Sequence, residues 1–380
     1  MDAQLTRWDV VVVGGGPAGA AAALAARRHG ASVLVLDRAD FPRDKVCGDG
    51  VAPEALDVLG ALGADVDAVT DGFPAVPRLR LTSPSGRTVE RTMHRPAVVV
   101  PRAVLDARVL DAALAAGAAF GRHTVRRLTP GPDGVDVDGE LTAGVVVGAD
   151  GAESVVRRAL GIGANRPDRL AVAIRGYAPA AEEGVQVITT TDQRWPAYAW
   201  SFPVGDGRAN VGYGELVSGG ATRAGLLEGL HRLLPGVAPE GLRAHRLPLS
   251  TGRPRQPDGR VVLAGDAASL INPMTGEGIF YAVLSGALAG AAAAHGAGAG
   301  AVLRAALADR LGTHLRHTSA ASRLSSRPWL MDAAFGAAAA DQRVFDDVVA
   351  LGLADGRLTA RTLIGAVSAL RPRTRPGRPA

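Results

Sequence analysis

Cysteine is nearly missing from this 380-residue sequence. Cys47 stands alone, so an intrachain disulfide and a multi-cysteine metal site are both excluded. A reducing, cytoplasmic setting agrees with that scarcity. Lysine is equally scarce: Lys45 is the sole example, and the formal charge of +5 is carried almost wholly by arginine. No basic run is interleaved with aromatics, which argues against a nucleic-acid partner. Internal repeats and long linkers are also absent. With 47% hydrophobic and 21% charged residues, the chain reads as globular and long enough to form two intertwined units. A mild positive field suits an anionic cofactor, or a phosphorylated or membrane-surface substrate.

Two apolar stretches need a closer look. Arg7 followed by Val10–Ala26 mimics a signal peptide, but Gly14, Gly15, Gly16, Pro17 and Gly19 would break its helix. Ala282–Ala301 has the length to cross a bilayer. Its only large aliphatics are Val283, Leu284 and Leu288, and it contains His295, so it reads as a buried core helix.

What is present is a set of three strand-turn-helix motifs. Trp8–Val13 is a β-branched run expected to be buried on both faces of a parallel sheet. Gly14-Gly15-Gly16-Pro17-Ala18-Gly19 follows, then a helix to His29 and a second strand Ser32–Leu36 ending in Asp37. This is a βαβ unit with an acid placed for a ribose hydroxyl, the signature of a dinucleotide site. The spacing does not separate FAD from NAD. The second motif is Gly148-Ala149-Asp150-Gly151-Ala152-Glu153-Ser154 with Arg157, after expected strands at His123–Thr129, Gly134–Asp138 and Leu141–Val147. The third is Val261–Phe280, where a short strand delivers Gly265-Asp266 and Gly276-Glu277-Gly278 opens a helix of small residues. A carboxylate at a strand end can accept from a sugar hydroxyl, and helix-start glycines let backbone N–H groups approach an anion or a flat ring.

Between the second and third motifs the pattern changes to long alternating strands at Leu170–Gly176, Val185–Thr191, Ala197–Phe202 and Arg208–Gly214. These predict an antiparallel sheet placed as a substrate roof. Trp195–Tyr213 holds five of the chain's 15 aromatics, where about one would be expected by composition. Tyr198, Trp200 and Phe202 alternate and so share a strand face. That face is either sheet core or the wall of an apolar pocket, and the pocket is favoured because the core elsewhere is Ala, Val and Leu. Arg78–Thr82 and Thr88–Thr92 read as a hairpin, and Pro101 opens a helix whose Arg102 reaches either an anionic ligand or only solvent. Helices are expected from Ala301 to Leu370. The arginine- and proline-rich 371–380 reads as a disordered tail or as an electrostatic membrane contact.

Together GGGPAG with Asp37, GADGAES with Arg157 and LAGDAASLINPMTGEGI resemble the FAD-dependent flavoprotein superfamily typified by p-hydroxybenzoate hydroxylase. FPRDKVCGDG (Phe41–Gly50) and YAWSFP (Tyr198–Pro203) narrow this. They are similar to the P-R-x-K-x-C-G and Y-x-W-x-F-P patterns of the geranylgeranyl reductase family. The resemblance implies an α/β fold: a Rossmann-type FAD-binding domain, an inserted antiparallel β-sheet substrate domain and C-terminal helices. The expected segments are 1–76, 97–165 and 255–300 for FAD, and 77–96 and 166–254 for substrate. A helical region at 301–370 and the tail at 371–380 complete the chain.

By the same resemblance Gly14, Gly16 and Gly19 hold the pyrophosphate and Asp37 the adenosine ribose. Arg102 and Val125 meet the phosphates or adenine. Asp266 meets the ribityl–pyrophosphate region, and Gly276, Gly278 and Ile279 the isoalloxazine. Ala18, Arg38, Lys45, Gly48 and Gly265 complete the cofactor set. Cys47 lies at the reaction centre, either as a proton relay or as a small packing residue. Tyr198, Trp200, Phe202, Tyr213 and Pro273 line the substrate tunnel, and no metal is expected.

The implied activity is reduction of isoprenoid C=C bonds in a prenyl lipid, quinone or prenylated metabolite by hydride from reduced flavin N5. The alternative is an FAD-dependent monooxygenase or epoxidase of an aromatic or isoprenoid natural product, working through a flavin C4a-hydroperoxide. Only one dinucleotide fingerprint is present, so NAD(P)H visits transiently or a ferredoxin-type protein supplies electrons. Contact with the inner face of a membrane is the implied location if the protein is not freely cytoplasmic.

Overall fold

Val10–Val13 is at most 6% exposed, as befits the central strand of a parallel sheet covered on both faces. The structure, a computed structural model, describes residues 6–191, 193 and 196–370, so Trp195 and the 371–380 tail lie outside the described residues. The first sheet comprises β1 (Thr6–Val13), β2 (Val33–Asp37), β6 (Ala119–Arg122), β7 (Leu128–Pro130), β8 (Val135–Val137), β9 (Leu141–Gly148) and β15 (Val261–Leu263). Its order is β6-β2-β1-β9-β8-β7, with β15 also on β9. The second sheet comprises β3 (Gly50–Val51), β4 (Ala75–Thr82), β5 (Thr88–Val99), β10 (Leu170–Pro179), β11 (Val185–Thr190), β12 (Ala197–Pro203), β13 (Arg208–Leu216) and β14 (Glu240–Pro248). Its order is β14-β10-β13-β12-β11-β4-β5-β3.

Register explains why the three motifs meet. Val13 pairs with Leu36 and with Gly148, and Gly148 pairs with Leu263, all in parallel. Four strands therefore end on one edge, and the turns after β1, β9 and β15, together with Asp37, leave from it. In open parallel sheets that carboxyl edge is where ligands bind.

The helices are α1 (Pro17–Arg28), α2 (Pro53–Ala61), α3 (Val66–Thr70), α4 (Arg102–Ala115), α5 (Val155–Ala159), α6 (Arg223–Leu233), α7 (Ile279–Ala293), α8 (Ala299–Leu324), α9 (Pro328–Ala340), α10 (Gln342–Leu353) and α11 (Ala360–Ala369). The small-residue segment at 282–301 is core as far as Ala293, where α7 ends; Ala294 and His295 are exposed in the turn that leads to α8. α7 lies so close to α1 that a Cβ on Gly286 would sit 2.1 Å from the Ala18 carbonyl oxygen, and one on Gly290 2.1 Å from that of Ala22. Alanine and glycine on both helices are thus a packing requirement. Among the described residues no helix is long and apolar enough to cross a membrane.

Four local expectations change. Residues 123–127 leave the sheet, and strand pairing covers only Ala119–Arg122 and Leu128–Pro130. Asp138, at φ +57°, takes the place of a strand partner by accepting from the backbone N–H of Arg126 (3.0 Å) and Arg127 (2.7 Å). The second sheet is mixed, because the hairpin strand β4 docks in parallel on β11. The hairpin's second strand runs past the expected end at Thr92 to Val99 and pairs with β3. Finally β14 is an edge strand whose largely exposed, arginine-rich face carries no alternating apolar signal.

Candidate functional site

A cavity of about 920 Å³ runs along the carboxyl edge of the first sheet and is closed by residues of the second. That lies near the top of the ~300–1,000 Å³ typical of ligand sites. At one end the turn after β1 presents bare backbone. Gly14 adopts φ +104°, where a side chain is strained, and a Cβ there would sit 2.4 Å from the Ala149 carbonyl oxygen. Gly16 caps α1 without any side-chain partner, so the first N–H groups of that helix face the cavity. Asp37 fixes the turn: its Oδ2 accepts from Gly15 N at 2.8 Å and its Oδ1 from Ala39 N at 3.0 Å. Above the turn two guanidiniums share one carboxylate. Arg102 donates to Asp106 at 2.5 and 2.8 Å, and Arg43 donates to the same group at 3.0 Å. Arg102 is only 4% exposed, which removes its solvent-facing reading. This end therefore places two guanidiniums beside free backbone donors, with Arg43 also 3.8 Å from Asp37. With carboxylates at two further strand ends, Asp37 and Asp266, it fits an extended dinucleotide.

The other end is built by the loop 41–51 and the aromatic strand. Tyr198, Trp200 and Phe202 line the cavity, while Ala197 and Ala199 pack on the opposite side of β12 with Ile174 and Leu226. Gly212, paired opposite Trp200, makes room for the indole, since a Cβ there would lie 2.2 Å from the ring. The loop is bound to the sheet by side chains far away in sequence. Arg175 donates Nε to the Cys47 carbonyl at 3.1 Å and Nη2 to the Lys45 carbonyl at 3.0 Å. Asn210 donates Nδ2 to the Cys47 carbonyl at 2.8 Å and to Asp49 at 2.7 Å, and accepts from Trp200 Nε1 at 2.8 Å. Tyr177 donates to Asp49 at 2.5 Å. Asp49 is fully buried at φ +62°, and its Oδ1 has no hydrogen-bond partner. Burial pushes its carboxyl up to about 6 against the pull of Tyr177, Arg175 and Asn210.

Titratable groups crowd the cavity between these ends. Burial pushes the Cys47 thiol up, opposed by the nearby Arg102 guanidinium. Burial also raises Glu277 to about 7, although Phe280 N donates to its carboxylate at 2.8 Å. Lys45 pairs with Asp266 at 3.2 Å, and this cation overcomes burial to hold Asp266 below the usual carboxylate range. His245 is pushed down to about 4 by burial and then by Lys45, and its Nε2 is buried without a partner.

The structure brings Gly14, Gly16, Ala18, Asp37, Arg38, Lys45, Cys47, Gly48, Arg102, Val125, Asp266, Gly276, Gly278, Ile279, Tyr198, Trp200, Phe202 and Pro273 onto this one surface. Three expected residues are elsewhere. Gly19 lies behind the turn, where a Cβ would meet the Gly14 carbonyl oxygen at 1.7 Å, so its missing side chain lets the helix approach. Gly265 is buried behind the third motif and donates its N–H to Ser285 at 2.8 Å. Tyr213 points to the far side of β13, fully buried over Gly229 of α6, because strand neighbours alternate and Gly212 takes the cavity side.

Asp150 receives Ser154 at 2.5 Å and Val155 N at 2.6 Å, and Arg157 reaches Ser269 at 2.6 Å, tying the second motif to the third. Sequence reasoning missed His245, Arg175, Tyr177 and Asn210 as site components. The last three lie in the RGY and RANVGYG stretches, whose polar residues inside apolar strands are the available signal.

A family profile described as an FAD binding domain matches residues 7–179. The chain is 36% identical over 313 residues to a menaquinone reductase of Mycolicibacterium smegmatis, covering 75% of this chain and 76% of the relative. It is 33% identical over 314 residues to digeranylgeranylglycerophospholipid reductase 1 of Methanopyrus kandleri, covering 74% of this chain and 79% of that protein. A geranylgeranyl bacteriochlorophyll reductase-like protein of Thermoplasma acidophilum has a similar solved structure. Its TM-score is 0.76 at 20% identity, over 96% of this chain and 97% of the other. At that identity the structural likeness establishes the fold.

Proposed function

The chain belongs to the geranylgeranyl reductase family of FAD-dependent oxidoreductases, and from that premise we propose that it reduces isoprenoid C=C bonds of a prenyl lipid, quinone or prenylated metabolite. When bound, FAD supplies the hydride. The observation that carries the reading is the meeting, in one cavity, of a dinucleotide end with a wall of three aromatics and the only cysteine.

In this reading the backbone at Gly16 and the start of α1, with Arg43 and Arg102, would hold the pyrophosphate. Asp37 keeps lone pairs for a ribose hydroxyl. Asp266 would meet the ribityl chain, and Gly276–Ile279 the ring. Tyr198, Trp200 and Phe202 receive the prenyl chain and exclude water, which an unactivated alkene requires. Cys47 then holds a proton at Sγ. A thiol raised by burial stays protonated at neutral pH, so it suits proton donation better than nucleophilic attack. Glu277, near half-protonated at neutral pH, is a second proton store on the same surface. Arg175 and Asn210 set the position of Cys47 through its carbonyl, and Tyr177 with Asn210 holds the neighbouring Asp49. Segments 77–96 and 166–254 form the substrate side. NAD(P)H or a ferredoxin-type protein delivers electrons.

The test is anaerobic incubation of the chemically reduced holoprotein with a menaquinone and with a geranylgeranyl lipid, followed by mass spectrometry. A gain of two hydrogens per reduced bond is expected. Product carrying an added oxygen atom, formed only with NAD(P)H and air, would replace this reading with oxygenation.

A further inference from the structure

Large apolar side chains left exposed among the described residues are confined to one part of the chain. They are Leu324, Trp329, Leu363, Ile364, Val367 and Leu370. Leu363, Ile364 and Val367 stand on α11, with Leu370 at its C-cap, spaced to share one face, and Ile364 and Val367 are 65% and 58% exposed. The reverse face is seated firmly. A Cβ on Gly365 would lie 3.1 Å from Ala337 of α9, and Gly336 of α9 faces Ala369. Thr359 caps the helix, and Asp347 of α10 accepts from Thr359 at 2.7 Å and from Arg361 at 2.9 Å. The apolar row is thus held outward.

Charge identifies what covers it. After Asp355 the last 25 residues hold six arginines and no acid, a formal +6. Since the whole chain carries +5, everything before them sums to −1. A second copy would set one strongly cationic terminus against another. An anionic bilayer matches both features, because an apolar helix face enters the boundary between headgroups and acyl chains while arginines engage lipid phosphates.

We propose that α11 lies in the surface of an anionic membrane, its Leu363–Leu370 face inserted and the net positive charge of the last 25 residues drawing it to anionic lipid. The surface itself carries this inference; the prenyl-lipid reading adds only a purpose. The two signals act together, which is what reversible anchoring requires.

Flotation of FAD-loaded protein with vesicles tests it without any substrate. Binding to vesicles of phosphatidylglycerol and phosphatidylcholine should exceed binding to phosphatidylcholine alone by about tenfold or more, and should fall with salt. Ile364→Asp with Val367→Asp should lower binding by a similar factor while retaining stoichiometric FAD. Both residues are exposed, so the holoprotein should form. A chain ending at Leu370 should lose most of the salt dependence. Equal binding to neutral and anionic vesicles, or wild-type binding by the double variant, would overturn the proposal. So would a dimer in sedimentation that the double variant dissociates, with no vesicle binding by either. Failure to reduce a prenyl substrate would leave these readouts untouched.

Discussion

The two ends of the cavity are held in opposite ways. At the dinucleotide end the ligand-facing groups are mostly backbone, presented by a turn whose glycines, helix start and strand-end acid fall within 24 residues, Gly14 to Asp37. At the loop end the backbone of Cys47 is itself the thing being held, by Arg175 and Asn210, 128 and 163 residues away. The first end depends on local geometry and the second on a buried polar network. Damage to the first should cost the cofactor, whereas damage to the second should spare the cofactor and cost the reaction.

Asp266→Ala breaks the cofactor end, and the variant should purify colourless yet folded; a yellow, stoichiometric holoprotein would erase the distinction. Cys47→Ala should keep FAD and slow product formation by about 10²–10⁴-fold, the usual contribution of a positioned proton donor. Turnover within twofold or so of wild type would make Cys47 a packing residue.

Asn210→Ala sharpens the comparison, because Asn210 touches neither the proton nor the cofactor and acts through the loop and the indole of Trp200. We expect full FAD content, turnover lowered by up to about 10²-fold through misplacement, and stability reduced by about 1–3 kcal/mol because the buried Trp200 Nε1 loses its acceptor and Asp49 one of its donors. The loss should fall on kcat more than on KM.

The smallest effect concerns His245. Its folded-state value is depressed from 6.5 to about 4, so its contribution to stability is complete above pH 6.5 and lost as pH falls toward 4. His245→Gln should flatten that part of the melting-temperature profile of the cofactor-free protein. FAD should flatten it in the wild type too if bound cofactor gives Nε2 a partner. An unchanged acid slope in the variant would assign that slope to other groups.

The legible parts of this protein are those whose physics is short-range. A β-branched run, three glycines and an acid at the next strand's end specify a dinucleotide turn, because each acts on its immediate neighbours. Period-two spacing placed Tyr198, Trp200 and Phe202 on one face for the same reason. The limits appear wherever a residue's role depends on what lies across from it. Tyr213 belongs to the same aromatic cluster, yet only the pairing of Gly212 with Trp200 and the seat of α6 decide which face it takes. Gly19 matches the fingerprint, and only the Gly14 carbonyl behind it shows why no side chain fits there.

Arg43 and Arg102 are 59 residues apart, and their convergence on Asp106 needs the loop and α4 to be folded together. The clamp on Cys47 needs β10 and β13 of the second sheet to meet a loop that comes from 128 or more residues earlier in the chain. Local sequence encodes backbone conformation and face periodicity. Which face, which partner and which buried charge is compensated are settled when separate segments pack, because hydrogen bonds and desolvation depend on distance in space, which chain order does not contain.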